Sequence, residues 1–163
     1  MNTVIKPPEV VVLGHPVLKQ KALEVEDPKE MAAMVEKMMA IMRSHRGVGL
    51  AANQIGQLHR VIVYSVRGDD GHIINPVLDL GTSSEILTEG CLSIPGIAGD
   101  IERALSLDVE GFNIKGERIG FKAEGLVARV LQHETDHLNG TLIVDRAIPG
   151  TLRTSELTRM QQI

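Results

Sequence analysis

Between residues 60 and 121 the chain places five extended segments side by side, and a helix is expected on either flank. The segments are Arg60–Val66, Ile73–Leu78, Ser84–Thr88, Ser106–Val109 and Arg118–Phe121, rich in β-branched and aliphatic residues. Arg67-Gly68-Asp69-Asp70-Gly71 and Asn113-Ile114-Lys115-Gly116 supply turns between them, the second with the composition of a hairpin loop. Strands grouped together with helices at the ends predict an α+β fold rather than an alternating α/β one. The first helix is announced by Asp27-Pro28-Lys29-Glu30, a capping residue, a proline at the first helical position and a capping-box glutamate. Met31, Met34, Val35, Met38 and Met42 then repeat at helical spacing, and Gly47 is expected to stop the run. A second helix is predicted from Gly125 to Leu138, ending at Asn139-Gly140.

The chain's 163 residues suit one domain, read as 1–163, with no repeat or linker. Tyr64, Phe112 and Phe121 are the only aromatic residues, so the core must be built from aliphatic side chains and methionine. A net charge of −4 offers no basic field for a phosphate backbone, which argues against direct nucleic-acid binding. No apolar run reaches the ~18 residues of a membrane span, and Met1–Lys6 lacks the pattern of a secretory signal. The single cysteine, Cys91, excludes an internal disulfide and suits a reducing compartment. Pro7-Pro8 reads as an extended lead, and Thr151–Met160 as a possible further helix.

Within the second helix stands His133-Glu134-Thr135-Asp136-His137. Positions i and i+4 share a helix face, so both imidazoles can reach one metal ion, with Glu134 one step round as a proton acceptor. A metal-bound water ionises near neutral pH and supplies hydroxide without a strong base. Two histidines at this spacing also occur by chance on exposed helices, and a catalytic site needs a third ligand and an open position. Cys91, in Glu89-Gly90-Cys91-Leu92-Ser93, is the candidate, because thiolate and imidazole together suit Zn, Fe and related divalent ions. His15, His45, His59 and His72 lack partner spacing and are expected at the surface. A third segment, Gly47-Val48-Gly49-Leu50-Ala51-Ala52-Asn53-Gln54, combines small residues that permit close backbone approach with a side-chain donor. Taken alone it reads first as a helix C-cap followed by a tight turn.

Together, GVGLAANQ (Gly47–Gln54), EGCLS (Glu89–Ser93) and HETDH (His133–His137) resemble the GxGxAAxQ, EGCxS and HExxH motifs of the peptide deformylase family, in the same order. LGHPVLKQKA (Leu13–Ala22) and the QHETDHLNG run are also similar to the family, so the likeness spans most of Val10–Arg146. The resemblance implies antiparallel sheets packed around a central helix carrying HExxH, with an N-terminal helix. It implies removal of the formyl group from formyl-methionine of newly made proteins, in the cytoplasm and with transient ribosome association. It implies one divalent ion, Fe(II) first, with Zn, Ni or Co able to replace it, held by Cys91, His133 and His137. Metal-bound hydroxide would attack the formyl carbon with Glu134 as general acid/base, while Gln54 and the Leu92 N–H hold the oxyanion. Val48, Gly49 and Gly90 would line the peptide cleft, and Leu126 and Val130 the methionine pocket. Arg103 matches a family arginine expected to face the cleft, although Ile101-Glu102 departs from the residues that usually precede it. Two other readings carry different consequences: a catalytically silent homologue that binds peptide N-termini, and a metallopeptidase sharing only HExxH. The intact Glu134, Gln54 and ligand set argue against the first, and a cysteine ligand against the second.

Overall fold

The computed structural model describes residues 9–155 and Ile163. Pro7-Pro8 and residues 156–160 of the expected C-terminal helix lie outside that set. Three α-helices and eight strands are present among the described residues: α1 Ala32–Ser44, β1 Gly49–Ala51, β2 Val61–Val66, β3 Asp69–Leu80, β4 Ser84–Cys91, β5 Ile94–Ala104, β6 Ser106–Phe112, β7 Arg118–Glu124, α2 Gly125–Leu138, α3 Ile143–Arg146 and β8 Arg153–Thr154. The expected mixture of helix and antiparallel sheet holds. The strands form a five-stranded sheet in the order β1-β2-β3-β6-β7 and a three-stranded sheet in the order β4-β5-β8, with every pairing antiparallel.

Asp27 caps as expected, its Oδ1 accepting from Lys29 N–H at 3.1 Å. Pro28–Met31 is a 3-10 turn that leads into α1. Val35, Met38, Ile41 and Met42 form the buried stripe of α1, with Met38 and Met42 wholly enclosed. The helix does not run on to Gly47. It ends at Ser44, and the chain reverses at Arg46, which takes the left-handed conformation at φ 55°. Gly47 instead serves a close approach: a Cβ there would stand 2.7 Å from Leu92 Cδ1.

Three strands were not expected from the sequence. β1 is too short to show alternation. β5, with four glycine or alanine positions in Ile94–Ala104, lacks the composition of a strand and becomes one by pairing with β4 along eight residues. β8 occupies part of Thr151–Met160, so Arg153–Thr154 is extended, held by pairing with Ile97–Ala98. The β3–β6 ladder is interrupted between Ile74 and Val77. There Asn75, at φ 53°, turns its amide to exchange two bonds with the Val25 backbone, tying the segment before α1 to the sheet.

α2 carries the enclosed part of the molecule. Ten of its 14 residues are buried, including the polar Arg129, Gln132, His133, Glu134, Asp136 and His137. Ala128, Val130 and Leu131 pack with Ile62, Ile73, Leu107 and Val109 of the larger sheet, while Leu138 closes the end. The helix stops as predicted, at Asn139 followed by Gly140 at φ 75°. A Cβ on Gly140 would meet the Lys19 carbonyl oxygen at 2.6 Å, so glycine is required there twice over.

Candidate metal and active site

His133 and His137 lie one turn apart on α2, their ring centroids 5.0 Å apart. Cys91 comes from the end of β4, where the ladder with β5 slips between Gly90 and Cys91. Such an irregularity re-aims the side chain that follows it. Cys91 Sγ reaches 3.3 Å from His137 Nε2. One donor atom from each of Cys91, His133 and His137 lies within 4.8 Å of the others, and all three residues are buried. His133 Nε2 and His137 Nδ1 have no hydrogen-bond partner among the described residues. Buried nitrogens rarely go unpaired in a folded protein. An unpaired imidazole nitrogen beside a thiol and a second imidazole therefore fits a bound transition-metal ion.

Burial, with the Glu134 charge beside it, pushes the Cys91 thiol up to about 12. Burial also takes His137 well below the usual imidazole range, with repulsion from His133 and Arg103 adding to the effect, so the ring is neutral and able to ligate. Glu134 is enclosed, both carboxyl oxygens are unpartnered among the described residues, and Oε1 lies 3.9 Å from His133 Nε2. Burial first, then the charges of Glu89 and Asp136, raise its carboxyl well above the ordinary range against the opposing pull of Arg103. A carboxyl group held this way can accept and return a proton near neutral pH.

Gln54 is fixed at both ends of its amide. Its Oε1 accepts from Ala51 N–H at 2.9 Å, and Nε2 stands 3.1 Å from Ser93 Oγ and 3.8 Å from Cys91 Sγ. This directs its N–H groups at the ligand cluster. Gly49 lies against α2: a Cβ there would meet Val130 Cγ1 at 2.6 Å and Glu134 Oε1 at 3.0 Å. Val130 is buried, with Val48 and Leu126 packed on the same cluster. The Leu92 N–H donates to the Ile163 carbonyl at 3.1 Å, and Ile163 N–H reaches the Gly90 carbonyl at 3.5 Å. Ile163 is itself buried in the cluster that holds Val130. Of the expected cleft and pocket residues, Gly49 thus lies against Val130 and Glu134, Val48 and Leu126 pack on the Val130 cluster, and Gly90 immediately precedes Cys91.

Arg103 is the correction. Its guanidinium is taken up by buried carboxylates rather than presented to a cleft, and it forms no surface pair with Glu102 or Asp100. It is 4% exposed, and its guanidinium lies on Glu89 through Nε and Nη2, both at 3.0 Å, and on Asp136 through Nη1 at 2.6 Å. Two buried carboxylates leave it no other stable partner, since an unpaired buried charge is costly. Glu89 in turn accepts from His133 Nδ1 at 2.9 Å and from Arg129. Burial alone would raise the Glu89 carboxyl; hydrogen bonds and charges from His133 and Arg103 outweigh it and hold the group well below the carboxylate range. The ionised Glu89 fixes which ring nitrogen of His133 carries the proton, leaving Nε2 for a ligand. Glu89, Asp136 and Arg129 were missed as functional residues. The readable signal was charge in places otherwise built for burial: Glu89 two residues before Cys91, and Arg129 four before His133. His72 also departs from expectation, being half-buried, with Nε2 accepting from Ile114 N–H at 3.1 Å.

A mixed fold of antiparallel sheets, with a buried Cys-His-His set beside an unpaired carboxyl group, defines a protein built around a candidate mononuclear metal centre. The chain matches the family profile described as polypeptide deformylase over residues 7–152. It is 44% identical to the peptide deformylase of Acidothermus cellulolyticus over 139 residues, covering 85% of this chain and 77% of that one. It is also 44% identical to that of Pelotomaculum thermopropionicum over 140 residues, covering 85% and 90%. Among solved structures, the peptide deformylase of Thermotoga maritima superposes with a TM-score of 0.83 at 40% identity, covering 86% of this chain and 97% of that one. The Synechococcus elongatus enzyme in complex with actinonin gives 0.84 at 38% identity, covering 90% and 82%. The chain belongs to the polypeptide deformylase family.

Proposed function

We propose that this chain is a metal-dependent peptide deformylase that hydrolyses the formyl amide of N-formyl-methionyl chains, releasing formate and a free amino terminus. The observation that carries the reading is the buried Cys91-His133-His137 cluster with the unpartnered Glu134 carboxyl group beside it. Three protein donors with room for a fourth ligand suit catalysis rather than structure. Thiolate and imidazole suit Zn, Fe and related divalent ions; the likeness to the family puts Fe(II) first, with Zn, Ni and Co as workable substitutes. When bound, the ion supplies a Lewis acid and water of lowered pKa.

The chain's own residues do the rest. Glu134, with its raised carboxyl pKa, takes the proton of the attacking water and gives it to the departing amine nitrogen. Gln54 Nε2 and the Leu92 N–H donate to the oxygen on which charge develops, and donors set in advance commonly contribute ~100- to 1,000-fold each. Gly49 and Gly90 present backbone to the peptide, and Val48, Leu126 and Val130 receive the methionine side chain. Glu89 holds the His133 ring, and Arg103 holds Glu89. The whole chain is read as one catalytic domain. Its substrates are nascent chains in the cytoplasm, met through transient ribosome association. Among the described residues no helix is long and apolar enough to cross a membrane.

The test is formate release from a formyl-methionyl tripeptide by protein purified without oxygen, with and without a chelator. Chelator-sensitive release that disappears in Glu134→Ala is expected. No release from protein shown to hold Fe(II), Ni(II) or Co(II) would overturn the reading.

A further inference from the structure

Arg129 is 4% exposed and sits on α2 one turn before His133. Its Nη1 donates to Glu89 Oε2 and, at 3.1 Å, to the Ile101 carbonyl; its Nη2 donates to the Glu85 carbonyl at 3.0 Å. Glu85 and Glu89 belong to β4, the strand that ends in Cys91, and Ile101 to β5 beside it. One rigid side chain therefore grips both strands of the hairpin that delivers the thiol, from the helix that delivers both imidazoles. It does so through the same carboxylate that holds His133 Nδ1. Arg103 already supplies Glu89 with a bidentate partner from within the hairpin and adds Asp136 on α2. Charge compensation of Glu89 thus does not require Arg129. What Arg129 adds is a fixed distance between hairpin and helix, because its planar fork reaches three oxygen acceptors at once.

We infer that Arg129 is a positioning residue for the metal centre, setting the spacing of Cys91 against His133 and His137 by clamping α2 to the β4–β5 hairpin. The inference rests on the metal-site reading above. It predicts that loss of Arg129 lowers metal affinity by ~10- to 100-fold, the range typical of partners that orient metal ligands. The matched control is Gln132, which also ties α2 to β5, through the N–H and carbonyl of Ala104 at 2.9 Å each, without touching Glu89.

The experiment uses the whole chain, freed of metal and titrated with Co(II) against a competing chelator. The thiolate-to-Co(II) absorption band is recorded, and thermal unfolding of the metal-free forms is measured beside it. Arg129→Met is expected to bind Co(II) ~10- to 100-fold more weakly with a shifted band. Gln132→Met is expected to lose thermal stability but keep wild-type affinity and spectrum. Arg129→Lys keeps a charge beside Glu89 but cannot span both strand carbonyls, so it should fall between wild type and Arg129→Met even if the methionine variant fails to fold. Wild-type affinity and spectrum in the lysine variant would overturn the inference, as would equal losses in the Arg129 and Gln132 variants. A wild-type protein that binds Co(II) without a thiolate band would refute the Cys91-containing centre itself, a failure visible before any variant is made.

Discussion

Gly49→Ala tests how closely β1 is fitted to α2. The new Cβ would stand 2.6 Å from Val130 Cγ1, 3.0 Å from Glu134 Oε1 and 3.1 Å from Glu134 Cγ. Comfortable carbon–carbon contact needs about 3.5–4.0 Å, so roughly 1 Å must be found. Val130 and Glu134 are both completely buried. The strand must lift or α2 must shift, at about 1–3 kcal/mol for overpacking of this kind. For a chain of this size that corresponds to a fall in Tm of roughly 2–12 °C. The catalytic effect should exceed the stability effect, because the displaced group is the Glu134 carboxyl, and an error of ~1 Å in a reacting group can cost ~100-fold in rate. Formate release and thermal unfolding on the same preparations measure both. Val130→Ala removes the nearer obstacle, so the double variant should recover part of the lost Tm, a coupling that additive effects would not produce. Gly120→Ala is the control, since its Cβ would meet nothing nearer than the Val109 carbonyl at 3.6 Å. A Gly49→Ala enzyme with wild-type kcat/KM and Tm would refute the close-approach argument.

Three further outcomes are expected. Glu134 keeps its proton in the metal-free folded protein above the pH at which the unfolded chain, at its ordinary value of 4.5, has lost it. The Glu134 contribution to the stability of the metal-free form should therefore fall as pH rises from about 4.5 toward neutrality, opposing the rise that the neutral His137 contributes below 6.5. Glu134→Gln should flatten that slope in denaturant titrations, and an unchanged slope would refute the assignment. With its pKa pushed up to about 12, Cys91 is a neutral thiol at pH 7 before metal binds. Adding Zn(II) to weakly buffered metal-free protein should release about one proton, and none from this source in Cys91→Ala, read with an indicator dye. Finally, the Leu92 N–H and the Gly90 carbonyl are both engaged by the Ile163 backbone, so a substrate that uses those two groups, as proposed, must displace it. Ile163→Gly keeps those backbone groups but removes the buried side chain that anchors them, so it should lower KM severalfold with kcat unchanged, and an unaltered KM would count against the competition.

What the sequence determined by itself was local in its physics. The i, i+4 repeat of His133 and His137, the Asp27-Pro28 helix start and the Asn139-Gly140 stop need only neighbouring residues, and each is found where helical geometry requires. The grouping of strands between helices likewise follows from residue type and predicted the α+β class. Cys91 was joined to the α2 histidines by the donor chemistry of thiolate and imidazole, whereas the association of Gln54 with them came from the likeness of three motifs. Tertiary structure decided everything that depends on partners far along the chain. β5 is a strand because β4 pairs with it, not because of its composition. Arg103 turns inward because Glu89 and Asp136 are buried beside it, 14 and 33 residues away. Reading Arg103 at a cleft failed because a charged side chain follows its nearest unsatisfied opposite charge, and where that charge lies is known only once the chain has folded.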